Sequence, residues 1–426
     1  MEKSIDSEVN NGLLYGSGNK SNNGYRSEEA KQFIEFCVEL DNQDDRLKNK
    51  DNKTLYLNID PQLWNPEPIY DSRSAIAKDV VNFRKLDGGA KEADPWAKLY
   101  KKIIAKADSK YPQGWDENTI FIDPDLNGFG PWQNAWLLYE GRGTFKGAYA
   151  IAIRGTVVSN SPSTSEDAFF HPVSARNFLS KAVQFADSDN ASLHSGFAHA
   201  TFTLLLDDRY GILRALNNKE IPANSRLYVI GHSQGAAMAT IVHAFMYYAM
   251  RNEEATSQPV FGLKGMGYRL KSYGFAQPKP GNYAFSSDFA RITQNEDNAI
   301  VINNYIDPVP KVPLTLQSTG DLDNDFKGSS FLVSAVHFVS GFGSTFRGVV
   351  SFFAEPFVKK SATGYSYFYN YENIKPIGND TTASSWDFVP AGHVLMVFGT
   401  PGDPSDPFLQ HHATTYRTLI GEQLKD

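Results

Sequence analysis

An α/β domain built on a mainly parallel sheet is the fold class this sequence predicts, and three observations predict it. Strand-like apolar runs alternate with helical runs from about residue 135 onward. One such run, Leu227 to Ile230, passes through Gly231, His232, Ser233, Gln234 and Gly235 into the small-residue stretch Ala236 to Val242. That is the order of a buried strand, a tight turn and a helix. The 426 residues are 41% hydrophobic and 21% charged, enough apolar material for a sizeable core in one large domain or two to three small ones.

In chain order, residues 1–25 are rich in Asn, Ser and Gly and predict a disordered leader. Ser27 as cap, Glu28 and Glu29 in the first turn, then Phe33, Ile34, Cys37 and Leu40 make an amphipathic helix. A charged gap runs from Asn42 to Lys53, and helical patches follow near 74–83 and 95–107. This third holds no catalytic constellation, so 26–130 reads as a helical extension packed on the core and 131–426 as the main domain. Within that domain, Ala135 to Glu140 and Lys146 to Arg154 read as strands joined by the turn Gly141, Arg142, Gly143. Leu193 to Asp208 and Ser233 to Arg251 read as helices, Leu270 to Ala276 and Ala299 to Ile306 as strands. The run from Ser329 to Phe357 is rich in Phe and Val, including Phe342 and Phe346. Arg347, Gly341, Gly343 and Gly348 speak against a membrane span, which needs about 20 predominantly apolar residues. A buried or interfacial amphipathic pair is the expectation there.

Net charge of −7 and a pI near 5.8 argue against a general nucleic-acid or anionic-membrane binder. The one cysteine, Cys37, excludes an intramolecular disulfide and any cysteine-based metal cluster. Met1 to Asn23 has no basic start and no apolar stretch, so no signal peptide of the general secretory type is visible. Cytoplasm is the default location, and leaderless export would leave the same sequence. Asp123, Asp125, Asn127 and Gly128 resemble the opening of a calcium loop, as do Asp321, Asp323 and Asp325. Neither stretch carries an acidic residue at the twelfth position, so plain Asx-rich turns, without metal or cofactor, are expected.

The chemistry centres on Gly-His-Ser-Gln-Gly. Ser233 would sit on a strained strand-to-helix turn, and a side chain at Gly231 or Gly235 would collide with the strand or helix beside it. The helix that follows points N–H groups and positive dipole at the serine oxygen, where an oxyanion forms in acyl transfer. A nucleophilic serine needs a base, and the base an orienting carboxylate. Asp307, after the strand-like run to Ile306 and before Pro308, Val309 and Pro310, is placed at a strand's carboxyl end. His337 and His393 lie inside apolar or strand-like runs and read as structural. His411 and His412 lie in a loop before a terminal helix, and one of the two is the candidate base.

These residues resemble the class 3, fungal-lipase-like branch of the α/β-hydrolases. Ala150 to Thr156 resemble its strand ending in Arg-Gly-Thr/Ser, and Leu193 to Phe197 its Val-His-x-Gly-Phe. Gly231 to Gly235 is similar to its elbow, Tyr273 to Pro278 with Gly281 and Asn282 to its Phe-Gly-x-Pro-x-x-Gly-Asn segment, and Asp307 to Pro310 to its acid turn. The resemblance covers roughly 130–315 and the C-terminal tail. It implies an α/β-hydrolase fold, with Ser233 as nucleophile and Asp307 as acid. Thr156 and Gln234 would be the oxyanion donors, and His194 and Gly196 framework. His411 followed five residues later by Tyr416 matches the family tail, which favours His411 over His412. A lid would fall in 157–192, whose start at Val157 and Val158 departs from the usual pattern, and the insert 329–357 has no counterpart. The implied activity is serine carboxylic-ester hydrolysis of acyl lipids through an acyl-enzyme, with an ester or lipid substrate met in transient contact with a lipid interface. Acyl transfer by the same triad, or a silent lipid-binding protein on this fold, are the alternatives.

Overall fold

The computed structural model describes residues 24–41, 57–76, 78, 128–129, 134–155, 172–178, 183–207, 210–252, 261–311, 388–400, 406 and 408–424. In chain order its elements are α1 (Ser27–Asp41), β1 (Tyr70–Asp71), β2 (Trp136–Glu140), β3 (Ala148–Ile153), β4 (Pro172–Ser174) and β5 (Ser192–His194). Then come α2 (Ser195–Leu206), α3 (Ile212–Asn218), β6 (Arg226–His232), α4 (Gln234–Asn252), β7 (Arg269–Phe275) and β8 (Gly281–Asn282). The last are α5 (Tyr283–Ile292), β9 (Ala299–Asn304), β10 (Phe388–Val389), β11 (His393–Val397) and α6 (Ala413–Gln423).

Seven strands form the central sheet in the order β1-β2-β3-β6-β7-β9-β11. From β3 to β11 every pairing is parallel, and the two pairings at the other edge, β1 with β2 and β2 with β3, are antiparallel. The strand sequences explain this. All six residues of β3, Ala148–Ile153, are buried, as are all but the first of β6, because the sheet is covered on both faces. Alternation sorts them: Leu227 and Val229 pack with α2 and α4 on one face, Tyr228 and Ile230 with α1 and α6 on the other. This is the α/β-hydrolase arrangement that the motifs implied, with helices on both sides of a mainly parallel sheet.

The helix expected over Leu193 to Asp208 is corrected at its start. Ser192–His194 is a strand, β5, which pairs with β4 and with β8, and the helix begins only at Ser195. Pairing with distant residues overrides the helical pattern there, and Nδ1 of His194 accepts from the Phe197 N–H at 3.4 Å, closing the helix end. Together β10, β8, β5 and β4 make a small second sheet whose two- and three-residue strands carry no sequence signal of their own. Part of the lid window is built into this region, with Phe178 and Phe185 buried edge to face, 5.3 Å apart.

On the other face, α1 is seated by one carboxylate. Glu29, fully buried, accepts from Tyr228 Oη at 2.8 Å, Tyr273 Oη at 2.8 Å and Lys271 Nζ at 2.6 Å. Phe33 packs against Tyr228, Tyr273 and Trp64 beside it. No helix among the described residues is long and apolar enough to cross a membrane. The leader up to residue 23, the helical patch 95–107, all of the calcium-like stretches but Gly128, residues 157–171 and 179–182 of the lid window and the insert 329–357 lie outside the described residues.

Candidate active site

β6 ends at His232 and α4 begins at Gln234, so Ser233 alone makes the turn, at φ +59°. This is the left-handed region, which a non-glycine residue occupies only when its surroundings hold it there. They do so closely. The Ser233 N–H donates to the Phe275 carbonyl at 2.9 Å, and its own carbonyl accepts from Ala236 N–H at 2.8 Å. A Cβ on Gly231 would come within 2.0 Å of the Gly235 carbonyl oxygen, and one on Gly235 within 2.4 Å of the Ile153 oxygen. Both glycines are thus demanded by sterics, and the second brings the end of β3 against the turn. Gly155 continues that approach: a Cβ there would stand 3.1 Å from Ser233 Cβ. Gln234, the first residue of the 19-residue helix, is buried directly beyond the serine. Thr156, the other expected oxyanion donor, lies outside the described residues.

The structure brings Ser233, His411 and Asp307 together from three separate parts of the chain. His411 Nε2 is 2.8 Å from Ser233 Oγ, and His411 Nδ1 is 2.9 Å from Asp307 Oδ2. A carboxylate only accepts, so the imidazole carries its proton on Nδ1 and offers the Nε2 lone pair to the serine hydroxyl. Asp307 is fully buried. Its Oδ1 accepts from Val309 N–H at 2.9 Å, and its Oδ2 also from Tyr416 Oη at 2.8 Å. Burial, and then the Asp307 charge, push the Tyr416 phenol well above its ordinary pKa, so it stays a donor. His412 points elsewhere, with Nε2 3.0 Å from Asp406 Oδ2. His393 opens β11 in register with Ile300, away from these groups.

Sequence reasoning used Tyr416 only as a spacing marker and passed over two further residues. Asn304, the last residue of β9, binds the loop before the base: its Nδ2 donates to Gln410 O at 3.1 Å and Gln410 Oε1 at 2.9 Å, and its N–H to Tyr416 Oη at 2.8 Å. His232 lies inside the elbow itself, where only its flanking glycines and serine drew attention. Its ring is buried 4.8 Å from the His411 ring, and burial followed by the neighbouring His411 pushes its pKa well below the ordinary value. Among the described residues no group of three or more His, Cys, Asp or Glu is placed to hold a metal ion. The arrangement can run one chemistry directly: removal of a proton from a serine hydroxyl that then attacks an acyl carbon.

Residues 150–317 match the family model described as Lipase (class 3). Over 155 residues the chain is 32% identical to the secreted mono- and diacylglycerol lipase A of Penicillium cyclopium and, equally, of Penicillium camembertii. The match covers 34% of this chain and 42% of each relative, so the chain spans less than half the length of the curated relatives it matches. Among solved structures, M37 lipase aligns at 17% identity over 68% of this chain and 74% of its own, with a TM-score of 0.41. A triacylglycerol lipase described as having a serine-protease triad aligns at 22% identity over 43% and 57%, with a TM-score of 0.30.

Proposed function

We propose that this chain is a serine carboxylic-ester hydrolase acting on acyl lipids, a reading supported by the match of residues 150–317 to the class 3 lipase model. Ser233 Oγ attacks the ester carbonyl while His411 takes its proton, and Asp307 stabilises the imidazolium that results. The oxyanion forms at the N-terminus of α4, held by the Gln234 N–H and by Thr156. His411 then protonates the departing alcohol, and water, activated by the same imidazole, cleaves the acyl-enzyme. The observation that carries the reading is the unbroken line from Ser233 Oγ through His411 to a fully buried Asp307, with steps of 2.8 and 2.9 Å. Mono- and diacylglycerols, which the names of the Penicillium relatives attach to those proteins, are the first substrates to try, presented at a lipid interface.

The test combines a label with a substrate panel. A fluorophosphonate should modify Ser233 stoichiometrically, and the enzyme should hydrolyse esters of short and long acyl chains, soluble and emulsified. A folded protein that neither takes the label nor turns over any ester overturns the proposal. Labelling without hydrolysis, but with transfer to an added alcohol, would move the activity to acyl transfer.

A further inference from the structure

We infer that His232, the residue before the nucleophile, is a positioning residue for the base: its ring holds the backbone carbonyl of His411 and thereby sets where the His411 imidazole stands. The inference rests on the proposed hydrolase reading and adds a residue to it. His232 Nε2 lies 2.7 Å from His411 O. A carbonyl only accepts, so Nε2 carries the proton and donates. The strand that ends in the nucleophile therefore reaches across and grips the loop that carries the base, 179 residues later in the chain. That loop is a short 3-10 turn, Leu409–His411, with little intrinsic stability to keep its carbonyl in place.

The His232 ring is itself held. Tyr416 meets it edge to face at 5.7 Å; Asp41, the last residue of α1, has Oδ2 3.5 Å from Nδ1, which carries no proton in the neutral ring and so makes no bond to the carboxylate. Burial at 5% exposure keeps the ring neutral. A neutral ring grips the carbonyl without setting a second positive charge beside the imidazolium that His411 becomes. An element outside the family match, α1, so reaches the same ring.

The experiment compares His232→Leu, which removes the donor, with His232→Gln, whose side-chain amide can reach the same carbonyl. Because a misplacement of about 1 Å costs on the order of 100-fold, His232→Leu should lower kcat and the fluorophosphonate labelling rate by about that factor with KM nearly unchanged. His232→Gln should recover most of the loss, at a melting temperature no higher than that of the leucine variant. A folded leucine variant within about threefold of wild type, or a glutamine variant as slow as leucine, overturns the inference; both are far from the factor expected. If wild type neither labels nor hydrolyses, the hydrolase reading has failed, and a second measurement still decides this one. In a Ser233→Ala background, the downfield Nδ1 proton of His411 should appear when His232 is retained and in the His232→Gln variant, and vanish in the His232→Leu variant. Its persistence in the leucine variant overturns the positioning role.

Discussion

Ser233 spends about 1–2 kcal/mol to stand at φ +59°, the cost of left-handed backbone for a residue with a Cβ. Ser233 is buried and its hydroxyl meets His411 Nε2, so Ser233→Ala should remove ester hydrolysis while costing stability only about 1 kcal/mol, the net worth of one hydrogen bond. Near-wild-type turnover in the folded variant would end the nucleophile assignment. The two adjacent histidines should separate as sharply. His411→Ala should cut turnover by about 1,000-fold or more, whereas His412→Ala should cost less than about tenfold, because its ring faces Asp406. Steady-state kinetics on both variants would reverse the roles if the larger loss fell on His412. The elbow was legible because its causes are local: a strand, two glycines without room for a Cβ, and a helix follow one another in the chain. The grip of His232 on His411 and of Asn304 on Gln410 was not, since each joins residues more than 100 positions apart.

At the scale of elements, α1 shows how a correct pattern can hide an interior charge. Glu29 reads in sequence as an acid in a helix's first turn, a position that normally faces water. The helix face that carries Phe33 and Phe36 turns it inward instead, onto Lys271 of β7 and two tyrosines. Burial lowers the Lys271 pKa and raises those of Tyr228 and Tyr273, and all three meet the Glu29 carboxylate. Glu29→Gln takes the paired carboxylate away from a buried ammonium and should cost about 3–5 kcal/mol in urea unfolding. The double variant Glu29→Gln with Lys271→Met should regain part of it. A loss below about 1 kcal/mol for the single change would place this pair with exposed ion pairs in effect. The central strands were legible from their apolar runs, and their observed bounds differ from expectation by one or two residues. The small sheet was not, because Gly281–Asn282 and Phe388–Val389 become strands only by lying beside each other.

For the whole molecule, acid should be the weak side. Burial in α4 against β7 drives the His243 pKa down to about 3, and His232 is pushed down as well. The unfolded chain, titrating near the ordinary value of about 6.5, takes up these protons first. Stability is therefore full above about pH 6.5 and falls as pH drops toward 3, with about 2 kcal/mol lost to His243 alone by pH 5. Urea midpoints at pH 7 and pH 5 should show this decline, and His243→Gln should make it shallower; an unchanged slope would remove His243 as the cause. The same long-range closure of the site has a consequence for synthesis. The base lies 178 residues beyond the nucleophile, an interval of about 10–40 s at ordinary elongation rates. Throughout that time the nascent polypeptide presents Ser233 without His411. A polypeptide stopped after Gly399, and so lacking His411, should accordingly resist fluorophosphonate, since extension through His411 is what brings an imidazole to Ser233.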